Sequence, residues 1–335
     1  MSQIPVTGAV QPLIDSYGRV HRDLRISITD RCNFRCTYCM PAEGMVWQPR
    51  EDLLTFEEIY RVASLMVNRF GIDSIRLTGG EPTVRAHLDR LIMMLAPLPA
   101  DLALTTNGAT LAMVAKPLAS AGLRRINISL DTLRRDRFEQ ITKRDSLAAV
   151  LEGIDAAITA GLSPVKLNVV AMAGVNDDEL LDFARFGRER GAVVRFIEFM
   201  PLDAQGAWTE NQVLTYDQIF RTINEEYPLE PVVRGSAPAE RFRYADGGGE
   251  IGIIASVTRN FCSTCDRVRL TADGQFRTCL FATQDHDLRT LLRNDATEAE
   301  LVASIAKAVS GKWAGHSIGQ VNFIRPNRSM SQIGG

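Results

Sequence analysis

The sequence has no apolar run long enough to cross a bilayer. Its most apolar stretch, around residues 91–100, is about half of the ~20 residues that a membrane-spanning helix needs. Residues 1–10 carry neither a basic head nor an apolar run, so no targeting segment is expected and a cytoplasmic chain is. No charge of one sign dominates: 38 Lys and Arg stand against 40 Asp and Glu, for a net charge of −2. That excludes a broad electrostatic footprint for nucleic acid or an anionic membrane, but leaves room for a local basic pocket. No Gly-x4-Gly-Lys-Ser/Thr loop exists, so a bound nucleotide would rely on Arg and Lys side chains instead of a P-loop. Low-complexity tracts and short internal repeats are also missing. Cysteine is absent between positions 39 and 262.

What remains is a globular composition. The chain has 335 residues, 45% of them hydrophobic, and a chain of this length buries about three quarters of its unfolded surface without staples. Short runs rich in Ile, Val and Leu recur at 24–28, 74–77, 102–105, 125–130, 165–170 and 193–199. They read as parallel strands buried on both faces. Helix-period segments lie between them at 56–70, 84–96, 111–121, 147–160 and 178–190. Thr55 with Glu58 fits a capping box, and Gly71, Gly122, Gly161 and Gly191 stand where left-handed C-caps are wanted. A βα unit thus repeats about six times, which implies a partial (β/α) barrel or a doubly wound sheet. After Met200 the pattern changes. Residues 203–212 read as a polar loop, and 229–249 are rich in Pro, Gly and Arg. Strand candidates follow at 251–257, 268–271 and 275–278, and helix candidates at 288–293 and 298–310. The expected organisation is a loose extension over 1–18, a barrel over 19–200 and a smaller α+β region over 201–335.

The cysteines form two groups of three. Cys32, Cys36 and Cys39 follow the first strand candidate with C-x3-C-x2-C spacing. A loop at the carboxyl end of a strand is where α/β barrels carry their active sites. Three thiolates are one short of the four that fill a cubane or a structural zinc, so one metal position is left for a ligand. The plainer alternatives are a zinc completed by a distant His, or buried inert thiols. The polar neighbours Arg31, Asn33, Arg35 and Thr37 argue against the second. Cys262, Cys265 and Cys279 repeat the theme with C-x2-C-x13-C spacing. There the alternative is a zinc with His286 as fourth ligand. Arg267 and Arg269 sit on one face of a strand candidate beside these cysteines, where they suit an anion such as a phosphate chain. Whether Arg25 points inward or outward is not decided by pattern.

The first group, its aromatic Tyr38 and the following Gly79-Gly80-Glu81-Pro82 after the second strand resemble the signature of the radical S-adenosylmethionine superfamily. With the second group, the Arg267-Val268-Arg269 segment and the Gly334-Gly335 end, the chain resembles the GTP 3′,8-cyclase family from about residue 17 onward. The resemblance implies a partial (β/α)6 barrel of the TIM type, with its C-terminal region closing the mouth. It implies two [4Fe–4S] clusters, one on Cys32, Cys36 and Cys39 and one on Cys262, Cys265 and Cys279. Tyr38, Gly80, Ser129 and Met200 would contact S-adenosylmethionine. Arg25, Arg76, Thr105, Lys166, Arg267, Val268 and Arg269 would hold GTP, with Arg267 and Arg269 also catalytic. The implied reaction removes the ribose 3′ hydrogen with a 5′-deoxyadenosyl radical. The substrate radical then attacks guanine C8, giving (8S)-3′,8-cyclo-7,8-dihydroguanosine 5′-triphosphate in the first step of molybdenum-cofactor synthesis. Implied partners are a flavodoxin- or ferredoxin-like reductant, a downstream cyclic pyranopterin monophosphate synthase and a second copy of the chain, with no nucleic acid and no membrane.

Overall fold

A computed structural model describes residues 10–41, 44–202, 206, 208–318, 320 and 323–334. Six strands run in sequence order as parallel neighbours: β1 (Asp23–Ser27), β2 (Ser74–Thr78), β3 (Asp101–Thr106), β4 (Arg125–Ser129), β5 (Val165–Ala171) and β6 (Val193–Glu198). Between them come α1 (Phe56–Phe70), α2 (Leu88–Leu95), α3 (Leu111–Ser120), α4 (Arg135–Thr142), α5 (Leu147–Thr159) and α6 (Leu180–Arg190). The Thr55–Glu58 capping box starts α1, and Gly71, Gly122, Gly161 and Gly191 all take positive φ after their helices. The α2 segment begins later than its periodicity suggests. Glu81 caps a short 3-10 turn over Pro82–Val84, and His87 at φ 61 breaks the path into the helix.

The strands alternate more strictly than their composition suggests. One face carries Leu24, Ile26, Leu77, Leu104, Ile128 and Leu167, all fully buried beneath the helices. Burying each of these side chains is worth roughly 1.5–3 kcal/mol. The other face carries Arg25, Arg76, Thr105, Ser129, Asn168 and Arg195. One cavity touches side chains on eight neighbouring strands, from Arg269 to Ile254. Eight flat strands at ~4.8 Å spacing would span roughly 34 Å, so the sheet is rolled around this cavity.

Residues beyond 200 do not build a separate sheet. After α7 (Tyr216–Glu226), the hairpin β7 (Leu229–Val232) and β8 (Glu240–Tyr244) leads to β9 (Glu250–Ile254), which pairs in parallel with β6. Then β10 (Arg267–Leu270) crosses to the opposite edge and pairs in parallel with β1, followed by β11 (Gln275–Arg277) and β12 (His286–Asp287). Both edges of the six-stranded core are thereby covered, which removes two rows of unpaired backbone groups. The helices α8 (Arg289–Arg293), α9 (Glu298–Ser310) and α10 (Met330–Ile333) complete the chain. The Pro- and Gly-rich 229–249 stretch therefore contains strands; Pro231 is tolerated because β7 is the outermost strand.

At the start of the chain, Leu13 and Asp15 are buried and Ile14 bridges Val20, while the other residues between 10 and 18 are exposed. Residues 1–9, part of the 203–212 loop and the final Gly335 lie outside the described residues.

Helix α5 lies so close to the β3–α3 turn that a Cβ on Gly153 would stand 2.3 Å from the Gly108 carbonyl oxygen. Alanine would gain about 1 kcal/mol of helix propensity but lose about 1–3 kcal/mol to overpacking against backbone that cannot yield. Gly153→Ala should therefore lower unfolding stability by up to about 2 kcal/mol in urea titrations; a stabilised variant would contradict this packing.

Candidate functional site

The first cysteine group sits in the loop that leaves β1. Phe34 anchors it, buried edge-on against Phe138 with ring centroids 5.7 Å apart. Backbone N–H groups of Arg35 and Thr37 donate to the carbonyls of Thr142 and Ile141 at the end of α4. The glycines after β2 support the loop from below. A Cβ on Gly79 would meet the Thr29 carbonyl oxygen at 2.6 Å, and one on Gly80 the Arg31 carbonyl oxygen at 2.4 Å. Gly80, expected as a contact for S-adenosylmethionine, does not line the cavity with the others. Its missing side chain is required first by the cysteine loop itself. Glu81 is fully buried and accepts from Thr83, Thr106 and the Asn107 backbone. Asn107 in turn donates to Asn33 at 2.7 Å and lies 3.9 Å from Cys32 Sγ.

Burial pushes the thiols up, Cys32 to about 11 and Cys39 to about 12, with Cys36 also raised well above its ordinary value. These sulfurs become thiolates only against a compensating cation, as metal ligation provides. N–H donors already face them: the Phe34 backbone N lies 3.4 Å from Cys32 Sγ, and the Ser331 backbone donates to Cys39. Such N–H···S contacts are the ligand environment of iron–sulfur clusters.

The main cavity holds about 1310 Å³ of empty space, including its open mouth. Tyr38, Ser129 and Met200 line it together with Asp131. The Tyr38 hydroxyl donates to Asp131 Oδ2 at 2.6 Å, and the Val170 N–H donates to Oδ1 at 2.8 Å. Burial outweighs both bonds and lifts the Asp131 carboxyl to about 6.

On the far side of the same cavity stand Cys262, Cys265 and Cys279. All six cysteines are free and half-buried. Arg267 donates to Cys265 Sγ at 3.4 Å and lies over the Phe261 ring at 4.7 Å. Burial raises the Cys265 thiol, but Arg267 and Lys312 more than offset it, so the net direction is downward. Among the described residues, no group of three His, Cys, Asp or Glu is arranged to hold a single metal ion. His286 pairs with Phe276 on β12 and does not line the cavity, so it does not complete a zinc site with these cysteines. A three-thiol set with N–H donors fits a cubane cluster with one open iron.

The floor of the barrel is basic. Register places Arg269, Arg25 and Arg76 side by side on β10, β1 and β2. Lys166, Arg125 and Arg195 continue the basic surface in an adjoining lower cavity that shares Arg25 and Arg76. Asp23, Asp73 and Asp266 are the acids there. The Nε atoms of Arg25, Arg76, Arg125, Arg195 and Arg267 are buried without a hydrogen-bond partner. Burial, reinforced by Arg195 and Arg125, brings Lys166 down to about 7; burial and Arg76 bring Arg195 to about 9. Thr105 lines the upper cavity, and Asn127 links it to Arg195 through bonds of 3.3 and 2.7 Å. Val268 is fully buried and does not line either cavity. Alternation turns its side chain into the helix-facing layer, so the expected substrate contact there is not made by the side chain. Asp131 and Arg195 belong to no motif that singles them out in the sequence, and neither does Arg125.

Two family models match the chain: the Radical SAM superfamily over residues 26–187, and Molybdenum Cofactor Synthesis C over residues 192–318. The chain is 50% identical over 328 residues to the GTP 3′,8-cyclase of Streptomyces coelicolor, covering 96% of each. It is 48% identical over 342 residues to GTP 3′,8-cyclase 2 of Mycobacterium bovis, covering 99% of this chain and 94% of that one. Among solved structures, Streptococcus suis SuiB bound to S-adenosylmethionine aligns with a TM-score of 0.58 at 12% identity, over 84% of this chain and 68% of that one. Methylornithine synthase aligns at 0.55 and 16% identity, over 85% and 86%. These two share the fold.

The Asp131 carboxyl gives a pH test. Its folded value of about 6 lies above the ordinary aspartate value of 3.8, so the folded state favours the protonated form. Stability contributed by that proton is present below about pH 4 and lost as pH rises toward 6, a change of roughly 3 kcal/mol. Asp131→Asn should gain stability relative to the parent across that interval and hold the gain above it. Urea midpoints that differ by a constant amount from pH 4 to 7 would rule this out.

Proposed function

This chain belongs to the GTP 3′,8-cyclase family of radical S-adenosylmethionine enzymes, and on that premise we propose how its cysteine groups and basic floor divide the work. The protein is a lyase that cyclises GTP in the first step of molybdenum-cofactor synthesis. It uses S-adenosylmethionine and a [4Fe–4S] cluster.

The reading rests most on the row Arg269–Arg25–Arg76. Like charges on adjacent strands repel, and the Nε atoms of Arg25 and Arg76 are shielded from water without a partner. A fold with near-zero net charge has no reason to assemble them unless a polyanion completes the site. A triphosphate fits that requirement: Arg25, Arg76, Lys166, Arg195, Arg267 and Arg269 hold it from several directions, and Thr105 offers a hydroxyl. The nucleoside then lies higher in the cavity, between the two cysteine groups.

Cys32, Cys36 and Cys39 hold the cluster that takes S-adenosylmethionine, with Tyr38, Ser129, Met200 and the Gly80 backbone around that cofactor. Cys262, Cys265 and Cys279 hold a second [4Fe–4S] cluster facing the guanine. When bound, the first cluster and S-adenosylmethionine supply the oxidant that removes the ribose 3′ hydrogen, so that this carbon attacks guanine C8. The protein's own part is positional. Arg267 and Arg269 bridge phosphate and auxiliary site, Asp131 fixes the Tyr38 hydroxyl, and Phe261, Phe281, Ile254 and Met330 keep the cavity wall apolar. Such a wall excludes bulk water and strengthens the electrostatic contacts inside. Residues 19–200 form the radical portion and 201–335 close its mouth. The chain works in the cytoplasm as a homodimer, takes electrons from a flavodoxin- or ferredoxin-like donor and hands its product to cyclic pyranopterin monophosphate synthase.

Anaerobically reconstituted protein should retain about eight irons per chain, four for each cluster. Given a reductant and S-adenosylmethionine, it should form 5′-deoxyadenosine and consume GTP. Arg76→Ala and Arg269→Ala should each weaken GTP binding about 10- to 100-fold, the cost of one charge-assisted contact of roughly 1.5–3 kcal/mol. Cleavage of S-adenosylmethionine should survive. Calorimetric titrations in which both variants bind GTP as the parent does would overturn the substrate assignment to this floor.

A further inference from the structure

A buried polar cluster lies behind the second cysteine group, outside the cavity, and the reaction as described makes no use of it. It joins residues 15–21, before β1, to the loop that follows α9. Asp15, Arg19, His21 and Lys312 are all buried, with Lys312 only 3% exposed. Asp15 accepts from Arg19 Nε at 2.6 Å and from the Tyr17 and Arg19 backbone. Its Oδ2 also lies 3.1 Å from His21 Nε2, while His21 Nδ1 lies 3.4 Å from Lys312 Nζ. A neutral imidazole that donates from Nε2 and accepts at Nδ1 satisfies both neighbours.

Every remaining arm of this cluster ends on the cysteine site. Arg19 donates to the carbonyl oxygens of Cys262 and Ala314, each at 2.7 Å, and of Trp313 at 2.5 Å. Lys312 Nζ donates to the Arg267 carbonyl at 2.7 Å and reaches to 3.9 Å from Cys265 Sγ. The loop itself is pressed against the other cysteine. A Cβ on Gly315 would meet Cys262 Cβ at 2.9 Å and its Sγ at 3.2 Å, and the His316 backbone donates to Cys262.

An ammonium this deep is costly unless anions face it. Among the described residues, the one acid in its network, Asp15, is already engaged by Arg19 and His21. What faces Lys312 directly is a carbonyl, an imidazole and a sulfur. We propose that Lys312 is a positioning residue of the auxiliary site: held in place by residues 15–21, its ammonium offsets the negative charge of the cluster on Cys262, Cys265 and Cys279 and raises that cluster's reduction potential. The sign follows from Coulomb's law, since a fixed cation stabilises the more negative, reduced state more than the oxidised one. Lys312 lines neither the main cavity nor the lower one. The inference rests on the reading that these cysteines carry a second cluster.

The experiment uses the full chain, reconstituted anaerobically, with iron and sulfide counted. Redox titrations are followed by electron paramagnetic resonance, and the two signals are separated by the change that S-adenosylmethionine causes in one of them. Cys262→Ala/Cys265→Ala tests the underlying reading alone: if it keeps as much iron as the parent, there is no auxiliary cluster. With that reading secure, Lys312→Met should lower the midpoint potential of the signal that S-adenosylmethionine leaves unchanged, or lose the irons of that signal only. The same midpoint and iron content as the parent would overturn the proposal. Should Lys312→Met lose both clusters, Lys312→Arg decides. Retained charge should keep the auxiliary signal near the parent potential, and its loss or a shift to low potential would refute a role for charge.

Discussion

The repulsion among cations inside the rolled sheet is the constraint from which most other features follow. Arg269, Arg25 and Arg76 occupy neighbouring positions on neighbouring strands, where like charges destabilise a sheet. An arginine does not shed its proton near neutral pH, so the cost persists until an anion arrives. The opposite face of the same strands supplies the compensation. Its continuous layer of Leu, Ile, Val and Phe lies under α1 to α6 with almost no exposure. The strands can carry charge on one side because they are anchored so thoroughly on the other. A catalytic pocket that is unfavourable in isolation thus coexists with a stable fold, a common arrangement in binding sites.

Much of this was legible in the sequence, because parallel strands, capped helices and metal-binding cysteines each leave a local signature. Helices α1 and α9 match their periodicity residue for residue, since both have a Thr cap and a Glu three residues later. The two cysteine groups stood out by spacing alone. The rest depended on contacts that spacing does not encode. Helix α4 is too charged to show an apolar stripe, and β7 contains a proline that only an edge position allows. Gly80 stands where a backbone crossing admits no side chain, a constraint that only its environment shows. Val268 looked like part of an arginine segment, but the period-two alternation that turns Arg267 and Arg269 into the cavity puts Val268 in the opposite, helix-facing layer. Asp15, Arg19 and Lys312 lie almost 300 residues apart at their extremes, and no local pattern links them.

Topology explains why two cysteine groups at opposite ends of the chain serve one cavity. Strand β10 pairs in parallel with β1, so the loop that precedes β10 lies at the amino end of the strands and the loop that leaves β1 at their carboxyl end, with the cavity between them. Arg267 stands at the amino end, one hydrogen bond from Cys265 and opposite Asp23. Neither cysteine group could be moved along the chain without losing this arrangement, whereas the helices that separate them contribute only distance and covering.

The same edge pairing bears on how the protein comes into being. During synthesis, β1 to β6 emerge before either of their flanking partners, β9 and β10, exists. A parallel sheet forms slowly, and here it would wait on the ribosome with both margins bare, a state prone to pairing with other chains. The second cysteine group arrives with the strand that seals one margin. Its three thiols are therefore complete only after closure of the sheet has become possible, which makes late assembly a property of the connectivity itself.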